Sequence, residues 1–504
     1  MNYNKKSLPT RNIHPGWLLA VTLVFLAETL PHIGHILSFD EAWILCALRS
    51  IAVKSELFAD QFYRHPPILM ELGMLLAPAK QNFELRMELL CLFLNILALL
   101  VFLKFTAYFF GKRIALFTGL IYILAPGSVF FAVWVKRDCI VSLFGILAVW
   151  SSLRKKEWLA GIFLGLAFLG KEMAIFYAIL ITLSQLLSRQ RKPLKGLLKI
   201  YTLTAFISGW WYLLFANENI HYINFFRGVS DDYEPFAMPW WYYLDKIRFD
   251  LGWVGAGLFL LGIVGLFLRR RKSFQKETML NSLGRVRYLP ILILVPSFLI
   301  LSISAGKAGW WTITLQYWLA LVAGIGGAFL CKIISRSFAF LRLQIKDQRK
   351  DQFAYIFVFV LLLPQAIAFN YIATFDRLCP DMLRPTRESY IMADLIQSKV
   401  QPMDAMLFYP NSLKWNNTAL DPITFWNINV PLIIFNQYAP RTITDLKKII
   451  HDFKIRWVLI YPVIGTFQDD IYGEIVKEIN PVGYWTPGGI LLEFNDPSSS
   501  LDEK

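Results

Sequence analysis

Long apolar runs recur along the first 375 positions of this 504-residue chain. They lie at roughly 16–35, 87–108, 114–133, 139–153, 158–170, 173–188, 197–215, 251–268, 289–304, 310–331 and 353–373. A run of about 20 apolar residues crosses the ~30 Å hydrocarbon core of a bilayer as a helix. The pattern predicts a mostly α, polytopic membrane protein of about eleven spans. Composition agrees, with 56% hydrophobic and only 17% charged residues. The first run lacks a small-residue cleavage site and reads as a signal anchor.

Charge is divided unequally along the chain. Residues 1–375 carry 39 Lys/Arg and 20 Asp/Glu, a balance of 39 − 20 = +19. Residues 376–504 carry 12 and 16, a balance of 12 − 16 = −4. The basic excess of the whole chain therefore belongs to the membrane portion and does not describe a nucleic-acid surface. Its clusters are Lys5/Lys6/Arg11, Lys104/Lys112/Arg113, Arg154–Lys156, Arg189/Arg191/Lys192/Lys195, Arg269–Lys272 and Arg336 to Lys350. With eleven spans they all fall on one side, which the positive-inside rule makes the cytoplasm. The N-terminus is then inside and the tail outside. Asp40, Glu41, Arg64, His65, Asp138, Lys171, the 216–250 loop and Lys307 share the outer side. The five cysteines, at 46, 91, 139, 331 and 379, form neither a disulfide framework nor a metal spacing.

Three spans are short. Residues 139–153, 158–170 and 173–188 rise only about 20–24 Å as helices. The tips carrying Asp138 and Gly170-Lys171-Glu172 are therefore expected below the outer surface, around a protein-lined, outward-facing cavity of mixed charge. The competing reading is tilt, local thinning and snorkelling. In the outer loop 36–86, "EAWILCALRSIAV" and "PPILMELGMLLAP" suit helices lying in the membrane interface, as does "PWWYYLDKIRF" later on. The tail reads as a small α/β domain. Helices are expected at "ESYIMADLIQSKV" and "TDLKKIIHDF", and strands at "DAMLFYP" and "RWVLIYP". It lacks a Gly-rich nucleotide loop. The domain division is a membrane module at 1–375 and an extracytoplasmic α/β domain at 376–504.

The order of the polar motifs resembles a family. "FDEA" at 39–42 follows the first span, "HPPI" at 65–68 lies in the long outer loop, and "WVKRDCIVSLFGILAVW" begins at Trp134. "AGIFLGLAFLGKEMAIF" then carries Lys171, and "SAGKAGWWTITLQYWLAL" carries Lys307 and Tyr317. This layout resembles the C-type membrane glycosyltransferases, in the branch of the protein O-mannosyltransferases and bacterial lipid A aminoarabinose transferases (glycosyltransferase family 39-like). The resemblance covers residues 16–330. It departs at His65, where the aminoarabinose transferases have Lys, and after Tyr317, where a proline-rich end is missing.

The resemblance implies transfer of a hexosyl or pentosyl group from a polyprenyl monophosphate to an extracytoplasmic glycan, lipid or protein, with inversion. The residue types suit that chemistry. An attacking hydroxyl needs a base, and a carboxylate serves. A phosphate leaving group needs cations more than an acid. Asp40 is the candidate general base, with Glu41 as its support or a first-turn partner of the helix dipole, and Asp138 positioning the acceptor or a partner cation. Arg64, His65, Arg137, Lys171 and Lys307 are the candidate contacts to the donor phosphate, and Tyr317 lines the site. No metal or other cofactor is demanded, and the partners are the lipid-linked sugar, its acceptor and membrane lipids, not nucleic acid. Structural alternatives stand beside these roles: Asp40 and Asp138 as helix N-caps, "HPP" as a helix entry, and the lysines as snorkelling groups. The rival functions are a lipid or solute transporter and a lipid-linked glycan polymerase or ligase.

Overall fold

The computed structural model describes residues 13–33, 41, 44–45, 48, 66–76, 82–187, 193–216, 227, 238–268, 288–305, 309–340, 347–371, 391–401, 406–410, 432–434, 455–461, 482–486 and 489–493. It divides into two compact units, one of residues 1–33 and 62–374, the other of 34–61 and 375–504. Asp40, Arg64, His65 and Lys307 lie outside the described residues, as does the expected helix "TDLKKIIHDF".

The first unit is helical. Among the described residues, four helices are long and apolar enough to cross a membrane: Phe83–Phe110, Pro193–Leu214, Tyr242–Leu268 and Trp311–Ile334. Phe83–Phe110 has 28 residues, about 42 Å of helix against ~30 Å of hydrocarbon. Shorter apolar helices include Asp138–Leu153, Glu157–Phe168 and Leu289–Ile303. The chain is a multi-pass membrane protein. The hairpin expected from 158–170 and 173–188 is formed by Glu157–Phe168 and Ile175–Leu186, joined through the short turn Glu172–Ala174.

Two spans are less regular than their apolar runs imply. The run 114–133 is two helices, Lys112–Leu124 and Pro126–Ala132, bent by 65°. Pro126 causes the break. Its ring pushes the preceding residue out of the helical region, and Ala125 is extended at φ −80°, ψ 128°. The second irregularity is Gly252, at φ 69° and ψ 175°, which divides the Tyr242–Leu268 segment into an entry helix and a spanning helix. That left-handed φ favours glycine. The interrupted ladder is repaired by one side chain: Val254 N donates to Gln365 Oε1 at 3.1 Å, and Gln365 Nε2 donates to Leu251 O at 3.0 Å. We expect Gln365→Leu to cost about 1–3 kcal/mol, because both backbone groups lose a partner away from water. A thermal midpoint unchanged in detergent would refute this.

Close helix packing uses small residues. A Cβ at Gly262 would come within 1.9 Å of Val322 O, and one at Gly326 within 1.9 Å of Leu258 O. Helices Tyr242–Leu268 and Gln316–Phe340 therefore meet backbone to backbone, as membrane helices do where small residues line the contact. Beside them Tyr122 stacks on Tyr317 at 4.5 Å, and Phe102 meets Trp318 edge-on at 5.4 Å.

The second unit contains a five-stranded sheet in the order β2-β1-β3-β5-β4. Its strands are β1 (Met406–Pro410), β2 (Leu432–Ile434), β3 (Trp457–Tyr461), β4 (Val482–Thr486) and β5 (Gly489–Glu493). β2, β1 and β3 are parallel, and β5 and β4 run antiparallel. Trp457, Val458, Leu491 and Leu492 are buried, as are Met392, Ala393 and Ile396 on the helix at 391–399. Glu493 accepts from Arg456 at 2.7 Å and from the Tyr484 hydroxyl at 3.1 Å. The bond to Glu493 raises the Tyr484 phenol above its ordinary pKa.

Candidate active site

Four pieces of the first unit converge at one point. The first is the start of the Asp138–Leu153 helix. Asp138 is its first residue and Arg137 its N-cap, so the carboxylate sits at the positive end of the helix dipole. The second is the hairpin tip Leu169–Glu172. A Cβ at Gly170 would lie 2.7 Å from Ile140 Cγ2, which is how closely the tip seats against that helix. The third is the "HPPI" motif. Pro66 and Pro67 are buried, and Ile68 N donates to Leu169 O at 3.2 Å. The fourth is the segment Gly309–Leu315, which follows Lys307 in the chain and is held by Tyr177, whose hydroxyl donates to Thr314 O at 3.1 Å.

The charges at this point are buried. Lys171 Nζ bonds both oxygens of Asp138, at 3.1 and 2.9 Å, with the two side chains 7% and 1% exposed. Lys171 has an extended backbone at φ −168°, ψ 151°, between the two hairpin helices. Arg137 is 9% exposed, and its Nη1 has no hydrogen-bond partner among the described residues. Lys136 is also buried, its Nζ 5.0 Å from the centroid of the Trp134 ring. Lys136, Arg137 and Lys171 thus gather in a place shielded from water, with Asp138 holding Lys171 and the acids Glu172 and Glu88 flanking the group. Arg137, with Nη1 unpartnered among the described residues, is the group there suited to an anion.

Two other candidates are described. Tyr317 is in the bundle core, 1% exposed, and its hydroxyl donates to Asn95 O at 3.2 Å. Glu41 is helical and fully buried in the second unit.

The structure adds polar groups that the sequence reading passed over. Glu88 is fully buried and shares a helix face with Cys91 and Asn95. That face meets the 132–139 segment, for Asn95 Nδ2 donates to Ala132 O at 2.9 Å and Cys91 Sγ lies 4.0 Å from Lys136 O. A polar stripe at i, i+3 and i+7 inside an apolar run was the available signal. A second buried network joins Lys246 to Asp250, whose other oxygen accepts from Thr312 Oγ1 at 2.7 Å. The signal there was an acid and a base four residues apart in "LDKIRFD". This network ties down the same Gly309–Leu315 segment. Among the described residues, no group of three His, Cys, Asp or Glu could hold a metal ion.

The backbone superposes on ArnT from Cupriavidus metallidurans in the apo state with a TM-score of 0.64, at 15% identity, over 95% of this chain and 97% of that one. The same protein bound to undecaprenyl phosphate gives 0.63 at 15% identity, over 95% and 98%. This chain has the C-type glycosyltransferase fold. Two further enzymes share that architecture more distantly. The Archaeoglobus fulgidus oligosaccharyltransferase, in complex with zinc and sulfate, gives 0.50 at 12% identity over 95% of this chain and 73% of that one. The mycobacterial arabinofuranosyltransferase AftD gives 0.51 at 14% over 89% and 35%. No protein-family model and no curated protein matches the sequence. Within the C-type fold of this chain, the buried cations gather where its motif segments meet: Trp134–Asp138, the hairpin tip and "HPPI".

Proposed function

We propose that this chain transfers a sugar from a polyprenyl monophosphate to an acceptor outside the cytoplasmic membrane, with inversion. The observation that carries this reading is the buried Arg137 guanidinium, unpartnered at Nη1 among the described residues, beside a closed Asp138–Lys171 pair. In this reading the chain crosses the membrane eleven times, with its N-terminus inside and the tail domain outside. A buried cation with a free N–H suits a phosphate, and a protein of the same fold has been captured with undecaprenyl phosphate.

The chemistry divides by charge. Asp40 takes the proton of the acceptor hydroxyl as its oxygen attacks the anomeric carbon, and Glu41 supports Asp40. The glycosyl–phosphate bond breaks, and the polyprenyl phosphate leaves as an anion. Arg137 receives that charge, with Arg64, His65 and Lys307 as further phosphate contacts. Asp138 acts by fixing Lys171, so that the ammonium faces the phosphate from one position. A carboxylate beside the anomeric carbon also stabilises the oxocarbenium character of the transition state.

The test is transfer from radiolabelled polyprenyl-phosphate sugars, with membrane lipid, glycan and protein acceptors, by wild type and Asp40→Asn. Label should reach a new product with wild type, and Asp40→Asn should lose about 10²–10⁴ of the rate. Undiminished turnover by Asp40→Asn would remove the base assignment. No transfer from any donor would remove the function.

A further inference from the structure

Helices Glu157–Phe168, Ile175–Leu186 and Pro193–Leu214 enclose an open groove of about 620 Å³, within the ~300–1,000 Å³ range of ligand sites. Phe168, Ile175, Ile179 and Leu183 contribute apolar wall. The hydroxyls along it are already used by the protein. Thr204 Oγ1 donates to Ile200 O at 2.9 Å, Ser208 Oγ to Thr204 O at 2.9 Å, and Tyr212 to Phe168 O at 2.8 Å. The groove therefore presents a surface suited to hydrocarbon.

Glu172 is the exception. Among the described residues it is the one charged side chain lining this groove, and it sits at the hairpin tip. Lys171 does not neutralise it, since that ammonium is held by both Asp138 oxygens. Among the described residues, no hydrogen bond or ion pair forms on the Glu172 carboxylate. An unpaired carboxylate at the mouth of an apolar groove in a membrane protein is costly unless a cation meets it.

We propose that this groove binds a bilayer phospholipid with a primary ammonium head, a phosphatidylethanolamine, with one acyl chain along the wall and the ammonium on Glu172. Charge selects this occupant. A phosphatidylglycerol head brings a net anion to the carboxylate. A phosphatidylcholine head has no N–H to donate. A polyprenyl phosphate has no ammonium to give Glu172. The alternative role of Glu172, a first-turn acid favourable to the helix dipole, gives no lipid preference.

The experiment reconstitutes the full chain in vesicles of equal phosphatidylethanolamine, phosphatidylglycerol and phosphatidylcholine, then quantifies retained lipid by mass spectrometry after extraction into mild detergent. Wild type should retain phosphatidylethanolamine about fivefold above its bulk share, and Glu172→Gln should return to the bulk ratio. Glu172→Asp should keep the preference, which separates loss of charge from loss of fold. Ile179→Trp should lower retained lipid of every head by filling the groove. The same ratio in wild type and Glu172→Gln, enrichment of phosphatidylglycerol, a groove closed by a second copy with no retained lipid, or displacement of phosphatidylethanolamine by added undecaprenyl phosphate would each overturn the proposal. None of these readouts depends on sugar transfer.

Discussion

Asp138→Ala or Lys171→Met, made singly, should cost about 3–5 kcal/mol of stability, because each strands the other charge in a site shielded from water. The side chains are 1% and 7% exposed, so solvent screening rescues neither. The double variant Asp138→Leu/Lys171→Met should recover most of the loss, since two well-packed apolar side chains replace a desolvated pair without leaving an orphan. A double-mutant cycle on thermal midpoints in detergent measures the coupling. Additive losses would show that the pair is not coupled. The double variant also separates structure from chemistry. Should it fold and fail to transfer sugar, the Asp138–Lys171 pair is needed for the chemistry and not merely in the bundle.

The hairpin that carries Lys171 was legible because local rules decide it. Apolar runs of limited length, bounded by "RKK" and "RQRK", placed Glu157–Phe168 and Ile175–Leu186 within a few residues of where they form. Tail strands β1 and β3 were legible for the same reason. The Pro126 break could have been read from "LAPG", but hydropathy averages over it, so the run 114–133 looked continuous. The Gln365 repair of the Gly252 kink could not be read, because its partners are 111 and 114 residues apart. The same holds for Asp250, which meets Thr312 across 62 residues. Within the site, the sequence named Asp138 and Lys171 but assigned the lysine to phosphate alone. Only the fold shows that they bond each other, which leaves Arg137 as the cation with a nitrogen, Nη1, unpartnered among the described residues.

That difference gives Arg137 an opposite signature. Arg137→Met should lower the transfer rate by about 10²–10³, the usual effect of removing one preorganised donor at a developing anion. Its thermal midpoint should hold or rise, because the wild-type guanidinium is 9% exposed with Nη1 unpartnered among the described residues, and its burial is a cost. Polyprenyl phosphate should stabilise wild type against heat by occupying that position, in proportion to its saturation. The same lipid should have a much smaller effect on Arg137→Met. Arg137→Lys should fall between, since an ammonium keeps the charge but not the planar fork that grips a phosphate. A midpoint that drops in Arg137→Met as far as in Asp138→Ala would make Arg137 a structural ion and remove it from the donor site. A held midpoint with lost turnover and lost lipid stabilisation would leave phosphate binding as the reason this fold keeps a charge buried there.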